Sequence, residues 1–204
     1  MPNPDVIGIS HGIKGRQRPL MTWPDDADFL HTPCDEVIEF DDILHQDVAD
    51  MFVSLENNND GIALAANQVG ILLRMFVASL PYANEQPSVS PTSTPEYETE
   101  FEHIVCINPQ IEDKGSSYSY EEGCLSIPGY YSMNKRCGYI KLRYFSPRGR
   151  SHVREFWGLH AFAIQHEIDH LDGKLMIDDY SQLKKNMVRK KVAKFLRHLR
   201  ANAS

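Results

Sequence analysis

The chain has 204 residues, 42% of them hydrophobic and 24% charged, which is the length and balance of one ordinary globular domain with a sizeable core. Its net charge of −7 is uneven: eight of the 21 lysines and arginines lie after Gln182 with no acid among them, leaving 13 bases against 28 acids in residues 1–181. An acidic body excludes a general DNA binder, the lack of a long apolar run excludes a membrane span, and the opening MPNPDVIGISHG has no basic-then-apolar export pattern, so the expected location is the cytoplasm.

In chain order, residues 1–28 are polar and Gly-rich and read as a flexible N-terminal segment. An extended piece ends near Phe40. From Asp41 to about Asn57, apolar residues at Ile43, Leu44, Val48, Met51, Phe52 and Leu55 follow helical spacing, with Asp41 or Asp42 as N-cap and Asn-Asn-Asn-Asp-Gly as the stop. Strands are expected at Leu72–Ser79 and Ile104–Ile107. Between them residues 81–101, with four prolines and almost no aliphatics, read as a surface insertion. Further strands are expected at Gly138–Tyr144 and His152–Phe156, joined by the turn Ser146-Pro147-Arg148-Gly149. A helix is expected from Leu159 to Asp172, closed by Gly173, and a second from Ser181 to Leu199. Strands followed by helices point to an α+β domain with antiparallel sheets. The expected layout is a flexible 1–28, a catalytic domain over 29–180 and a basic C-terminal helix over 181–204.

The chemistry concentrates in His166-Glu167-Ile168-Asp169-His170. On a helix, positions i and i+4 share a face, so His166 and His170 can hold one metal ion while Glu167 moves a proton to or from water activated there. A catalytic site of this type needs a third protein ligand and an open position. It is not downstream: Met176 stands where a metzincin has histidine, and no glutamate follows Glu167. Of the scattered cysteines, Cys34, Cys106 and Cys137 read as small buried hydrophobes. Cys124, in Glu122-Gly123-Cys124-Leu125-Ser126, is the best upstream candidate, because Gly123 lets the chain bend close to an ion.

Three separated motifs, in the same order, resemble the peptide deformylase family: Gly61-Ile62-Ala63-Leu64-Ala65-Ala66-Asn67-Gln68, then Glu122 to Ser126, then Gln165 with His166 to His170. The resemblance covers roughly Leu30 to Tyr180. It implies antiparallel sheets packed around a central HExxH helix, with a C-terminal helix beyond. It also implies metal ligation by Cys124, His166 and His170, proton transfer by Glu167, and oxyanion contacts from Gln68 and the Leu125 backbone N–H. Gly61, Ile62, Ala63, Gly123 and Tyr131 would lie against the substrate, an N-formylmethionyl peptide. Arg136 would pair with Glu122. The implied ion is Fe(II) in the cell, with zinc or nickel able to occupy purified protein. The basic C-terminal helix would be a handle for the ribosome, as in some members.

Two residues depart from the family pattern. Ala63 replaces a glycine where the substrate backbone passes, and Tyr131 stands where many members carry an arginine. The competing expectations are a deformylase-like paralogue that only binds peptide or metal, and an HExxH metallopeptidase; intact Gln68, Cys124 and Glu167 oppose the first, and the upstream Cys124 opposes the second.

Overall fold

The stretch Met75–Leu80 reads MFVASL, apolar without alternation, because both of its faces are buried. Met75 and Val77 join a cluster with Val48, Met51, Phe52 and Leu55. Phe76, Ala78 and Leu80 point to the opposite side, into a cluster with Ala161, Ile164, Ile168 and Leu171. The computed structural model that shows this describes residues 2–58, 61–83 and 97–202.

The elements are α1 (Pro4–Ile7), α2 (Ala27–Leu30), α3 (Asp42–Glu56) and β1 (Ala63–Ala65), which leads into a 3-10 turn (Ala66–Val69). Strands β2 (Met75–Ala83), β3 (Tyr97–Lys114), β4 (Ser117–Gly123), β5 (Tyr131–Cys137), β6 (Tyr139–Phe145) and β7 (Ser151–Trp157) follow, then α4 (Gly158–Leu171) and α5 (Gln182–Asn202). Five strands form one antiparallel sheet in the order β1-β2-β3-β6-β7, and β4 pairs with β5 as a separate two-stranded ribbon. Helix α3 packs on one face of the five-stranded sheet and α4 on the other. The α+β class with antiparallel sheets and a C-terminal helix is therefore the class observed.

The caps obey local chemistry. Asp41 accepts from the Leu44 N–H at 2.9 Å, closing the first turn of α3. After α4, Gly173 takes φ +71, the left-handed conformation that ends helices, and a Cβ there would lie 2.5 Å from the His31 carbonyl oxygen. Only glycine fits that corner.

Three expectations need correction. The N-terminal segment is not loose: Ile7 and Ile9 are buried in the α3 cluster, and Gly15 abuts the Ala49 carbonyl so closely that a Cβ would clash. Arg16 and Arg18 then bond to Asp50 and Ser54 of α3. Next, the strand expected at Leu72–Ser79 starts later and runs longer, to Ala83, with Pro81 paired to Phe101 beside an irregularity in register. The ends of the expected insertion thus belong to the sheet, and its middle, residues 84–96, lies outside the described residues. Last, the ribbon β4–β5 was not anticipated, since its outward positions are polar or aromatic and carry little apolar signal.

Helix α5 docks by Val188 and Val192, each 1% exposed, against Trp23, Leu30, Ile127, Leu175 and Ile177. Of its other apolar positions, Phe195 and Leu196 are half-buried, while Leu183, Met187 and Leu199 are exposed. Several bases lie over aromatic rings, Lys184 on Tyr180 and Lys191 on Tyr130 among them.

Candidate metal centre and active site

Helix α4 sets His166 and His170 one turn apart, their rings 4.9 Å centre to centre and nearly perpendicular. The end of β4 delivers Cys124 to the same place, in a turn where the Cys124 carbonyl accepts from the Ile127 N–H. Cys124 Sγ lies 3.1 Å from His170 Nε2, and one ligand atom from each of the three residues falls within 4.8 Å of the others. Tetrahedral binding with metal–sulfur and metal–nitrogen bonds of ordinary length spaces such atoms by about 3.3–3.6 Å. One thiol and two buried imidazoles at this spacing fit a borderline divalent cation.

The two histidines are electrostatically distinct. Burial alone would lower His166, but hydrogen bonds with Cys124 and Glu122 outweigh it and raise its pKa. Burial and the neighbouring His166 push His170 down, toward the neutral imidazole that ligates a metal.

Behind the triad stands a polar frame. Glu122 Oε1 faces His166 Nδ1 at 3.4 Å, which leaves the Nε2 side of that ring for the ligand cluster. Arg136 donates from Nε and Nη2 to the two Glu122 oxygens, each at 2.9 Å, and forms a further ion pair with Asp169 of α4. Burial would raise Glu122, yet the His166 and Arg136 hydrogen bonds hold its carboxyl down at about 2. Asn67, wholly buried, donates to the His170 carbonyl at 2.7 Å. Gln165 brackets the Cys137 backbone, accepting from its N–H and donating to its carbonyl, so α4 is tied to the end of the ribbon.

Glu167 and Gln68 border the same cleft as Cys124 and His166. Burial pushes Glu167 up to about 7, against the lowering influence of His166, the Ala65 N–H and Arg136. Its Oε2 has no hydrogen-bond partner among the described residues. A buried carboxyl near neutrality can both take and return a proton. Gln68 sits in the 3-10 turn after β1. Its Oε1 accepts from the Ala65 N–H at 2.9 Å, which orients Nε2 toward Ser126 Oγ at 3.1 Å and Cys124 Sγ at 3.7 Å.

Of the residues singled out in the sequence, Gly61, Ile62, Ala63, Gln68, Gly123, Cys124, Leu125, Tyr131, His166 and Glu167 border one cleft of about 860 Å³, whereas His170, Arg136 and Gln165 do not line it. A Cβ on Gly61 would come 2.7 Å from Leu125 Cδ1, so any side chain there would displace the Leu125 side chain. Ala63 lines the cleft from β1, buried and paired with Ala78. Tyr131 lies across from Gly123, its ring where a Gly123 side chain would go. Sequence reasoning assigned no role to Ser126 and Asn67, which stand inside two of its motifs, and missed the contribution of Phe195, Leu196 and Leu199 from α5. The amphipathic period of α5 was the available signal for the last three, but a period does not say which surface a face meets.

The polypeptide deformylase family description matches residues 17–186. The chain is 36% identical to a peptide deformylase of Alkalilimnicola ehrlichii over 183 residues, 90% of this chain and 93% of the relative. It is 41% identical to that of Brucella suis over 178 residues, 87% and 92% of the two chains. Among solved structures, a peptide deformylase from Legionella pneumophila superposes with a TM-score of 0.74 at 34% identity, covering 91% of this chain and 98% of that one. One from Ehrlichia chaffeensis, in complex with actinonin, also gives 0.74, at 31% identity over 88% and 97%. The chain belongs to the polypeptide deformylase family.

Proposed function

We propose that this chain hydrolyses the formyl amide at the N-terminal methionine of newly made proteins, releasing formate, with Cys124, His166 and His170 holding a divalent ion that is Fe(II) in the cytoplasm. The observation that carries the reading is the convergence of those three ligand atoms within 4.8 Å in a cleft that also holds Glu167 and Gln68. The ion, when bound, supplies Lewis-acid activation of water. Glu167 takes the proton of the attacking water on its carboxylate and returns it to the departing methionine nitrogen, a cycle suited to a carboxyl held near neutrality. Gln68 Nε2 and the Leu125 N–H donate to the oxygen on which charge develops. Glu122 and Arg136 hold His166, and Asn67 holds the backbone of His170. Gly61, Ile62, Ala63, Gly123 and Tyr131 border the peptide.

The deciding experiment is an anaerobic assay of iron-loaded protein on formyl-Met peptides with metal analysis of the same sample. Formate release in proportion to bound metal is expected. Metal-loaded protein that binds such peptides without releasing formate would leave the paralogue that only binds.

The ribosome is the proposed docking partner of α5, supported by the exposed Lys190, Lys194 and Arg197. Electrostatic contact of this kind weakens steeply with salt. Reversing those three charges should abolish co-sedimentation with ribosomes at low salt; equal sedimentation of both proteins would remove the proposal.

A further inference from the structure

The cleft does not end at the metal centre but runs onto α5, where Phe195, Leu196 and Leu199 border it beside Gly129 and Tyr130. These three residues lie past residue 186, outside the stretch that the family description covers. Docking of the helix is accomplished without all of them. Val188, Val192 and Leu196 pack into the cluster around Trp23 and Ile127, whereas Phe195 and Leu199 form an i, i+4 pair. Leu199 is 51% exposed near the end of a helix otherwise rich in bases, where water alone would favour a charged residue.

The position of Phe195 is set by a specific contact. Gly129 has φ +71, and a Cβ there would fall 2.5–2.8 Å from Phe195 Cδ2, Cγ and Cβ. The loop that follows Cys124 and the helix are thus pressed together backbone to ring. Two residues further on, Tyr131 pairs with Gly123 next to the ligand Cys124. The apolar surface of α5 is therefore continuous, through a loop with no spare room, with the surface that holds the reacting end of the substrate.

We infer that Phe195 and Leu199 form an apolar wall for the side chains of substrate residues beyond the second, making this chain selective for formyl peptides that are apolar there. The inference rests on the deformylase reading and adds a specificity element to it. An extended peptide advances about 3.3 Å per residue, so a formylated dipeptide is confined near the ion while a tetrapeptide has the reach to run along the cleft. The occupant is the nascent peptide because the wall shares one cavity with Glu167 and Gln68.

The test compares formyl-Met-Ala, formyl-Met-Ala-Ser-Ser and formyl-Met-Ala-Leu-Leu on wild type, Leu199→Ser and Phe195→Ala, each iron-loaded. For wild type, kcat/KM on the Leu-Leu peptide should exceed that on the Ser-Ser peptide by about fivefold, the low side of what an apolar contact discriminates. In both variants that ratio should fall toward one, through KM rather than kcat. A wild-type ratio near one, or a ratio unchanged in both variants, overturns the wall. If Phe195→Ala depresses all three peptides alike because the helix shifts, Leu199→Ser decides, since its half-exposed side chain contributes little to docking. Absence of wild-type hydrolysis of formyl-Met-Ala would overturn the deformylase reading itself, and the wall with it.

Discussion

Arg136 and Glu122 meet as a two-pronged pair, guanidinium to carboxylate, on facing strands of the β4–β5 ribbon, and both side chains are more than nine-tenths buried. The carboxylate is thereby fixed where it can orient His166. Substituting Arg136 by alanine leaves a buried charge without its partner, a change that costs about 3–5 kcal/mol. Loss of the orienting pair should also weaken metal binding by about 10–100-fold. Chelator competition on the folded fraction checks the second effect; undiminished affinity would show that Glu122 holds His166 without help.

Glu167→Gln is expected to keep the metal and lose hydrolysis. The amide preserves shape but carries no proton between water and leaving nitrogen, so kcat should drop by about 10²–10⁴. Metal content by elemental analysis and turnover on formyl-Met-Ala measure the two quantities separately. A variant retaining most of its turnover would assign the proton transfer elsewhere.

The four cysteines should separate by chemistry. Serine at Cys124 should strip the metal, while serine at Cys34, Cys106 or Cys137 should not. Burial pushes the Cys34 thiol up to about 11 and raises that of the wholly buried Cys106 further from reach. A raised thiol pKa means less thiolate at any given pH below it, and thiolate is the reactive form. At pH 8, iodoacetamide should therefore label Cys137 first in the metal-loaded protein and all four sites after denaturation. Early labelling of Cys34 would contradict its placement.

Gly173→Ala forces a side chain into the left-handed region and against the His31 carbonyl. The backbone strain alone is worth about 1–3 kcal/mol. A lower denaturant midpoint at unchanged slope is the expected readout; wild-type stability would mean that the α4 corner relaxes freely.

Ala63→Gly probes the departure from the family pattern. Ala63 sits in β1 against the cleft, so removing its methyl should cost about 0.5–1 kcal/mol of stability and raise kcat/KM on formyl-Met peptides. An unchanged or lower value would show that the groove already accommodates the methyl.

How much of this was readable in advance differs from residue to residue. His166, Glu167 and His170 were legible because one helical turn brings them together without any long-range contact. Cys124 could be chosen only by excluding downstream ligands and by resemblance, since its approach to His170 depends on how the ribbon folds back. The 18-residue β3 betrayed only Ile104–Ile107, the part buried in the sheet centre, because the residues on either side are mostly polar, those before it pairing with β2 and those after it with β6 through two irregularities. Ile7 and Ile9 stood beside Val6 among glycines and polar residues, with no period to announce that the isoleucines are core and the valine is exposed. Phe195 showed the right spacing, yet its seat on Gly129 is a fact of three-dimensional packing.

The two-sided burial of β2 has a consequence for how the chain can change length. A single residue gained or lost between Met75 and Leu80 would exchange the side chains facing α3 with those facing α4, so that Phe76 and Leu80 would enter a space shaped for Met75 and Val77. Both layers would be misfilled at once, and no repacking on one side could relieve the other. Natural insertions and deletions should therefore be absent from this stretch and gather in the connection between β2 and β3, where added residues alter neither pairing partner of the strand.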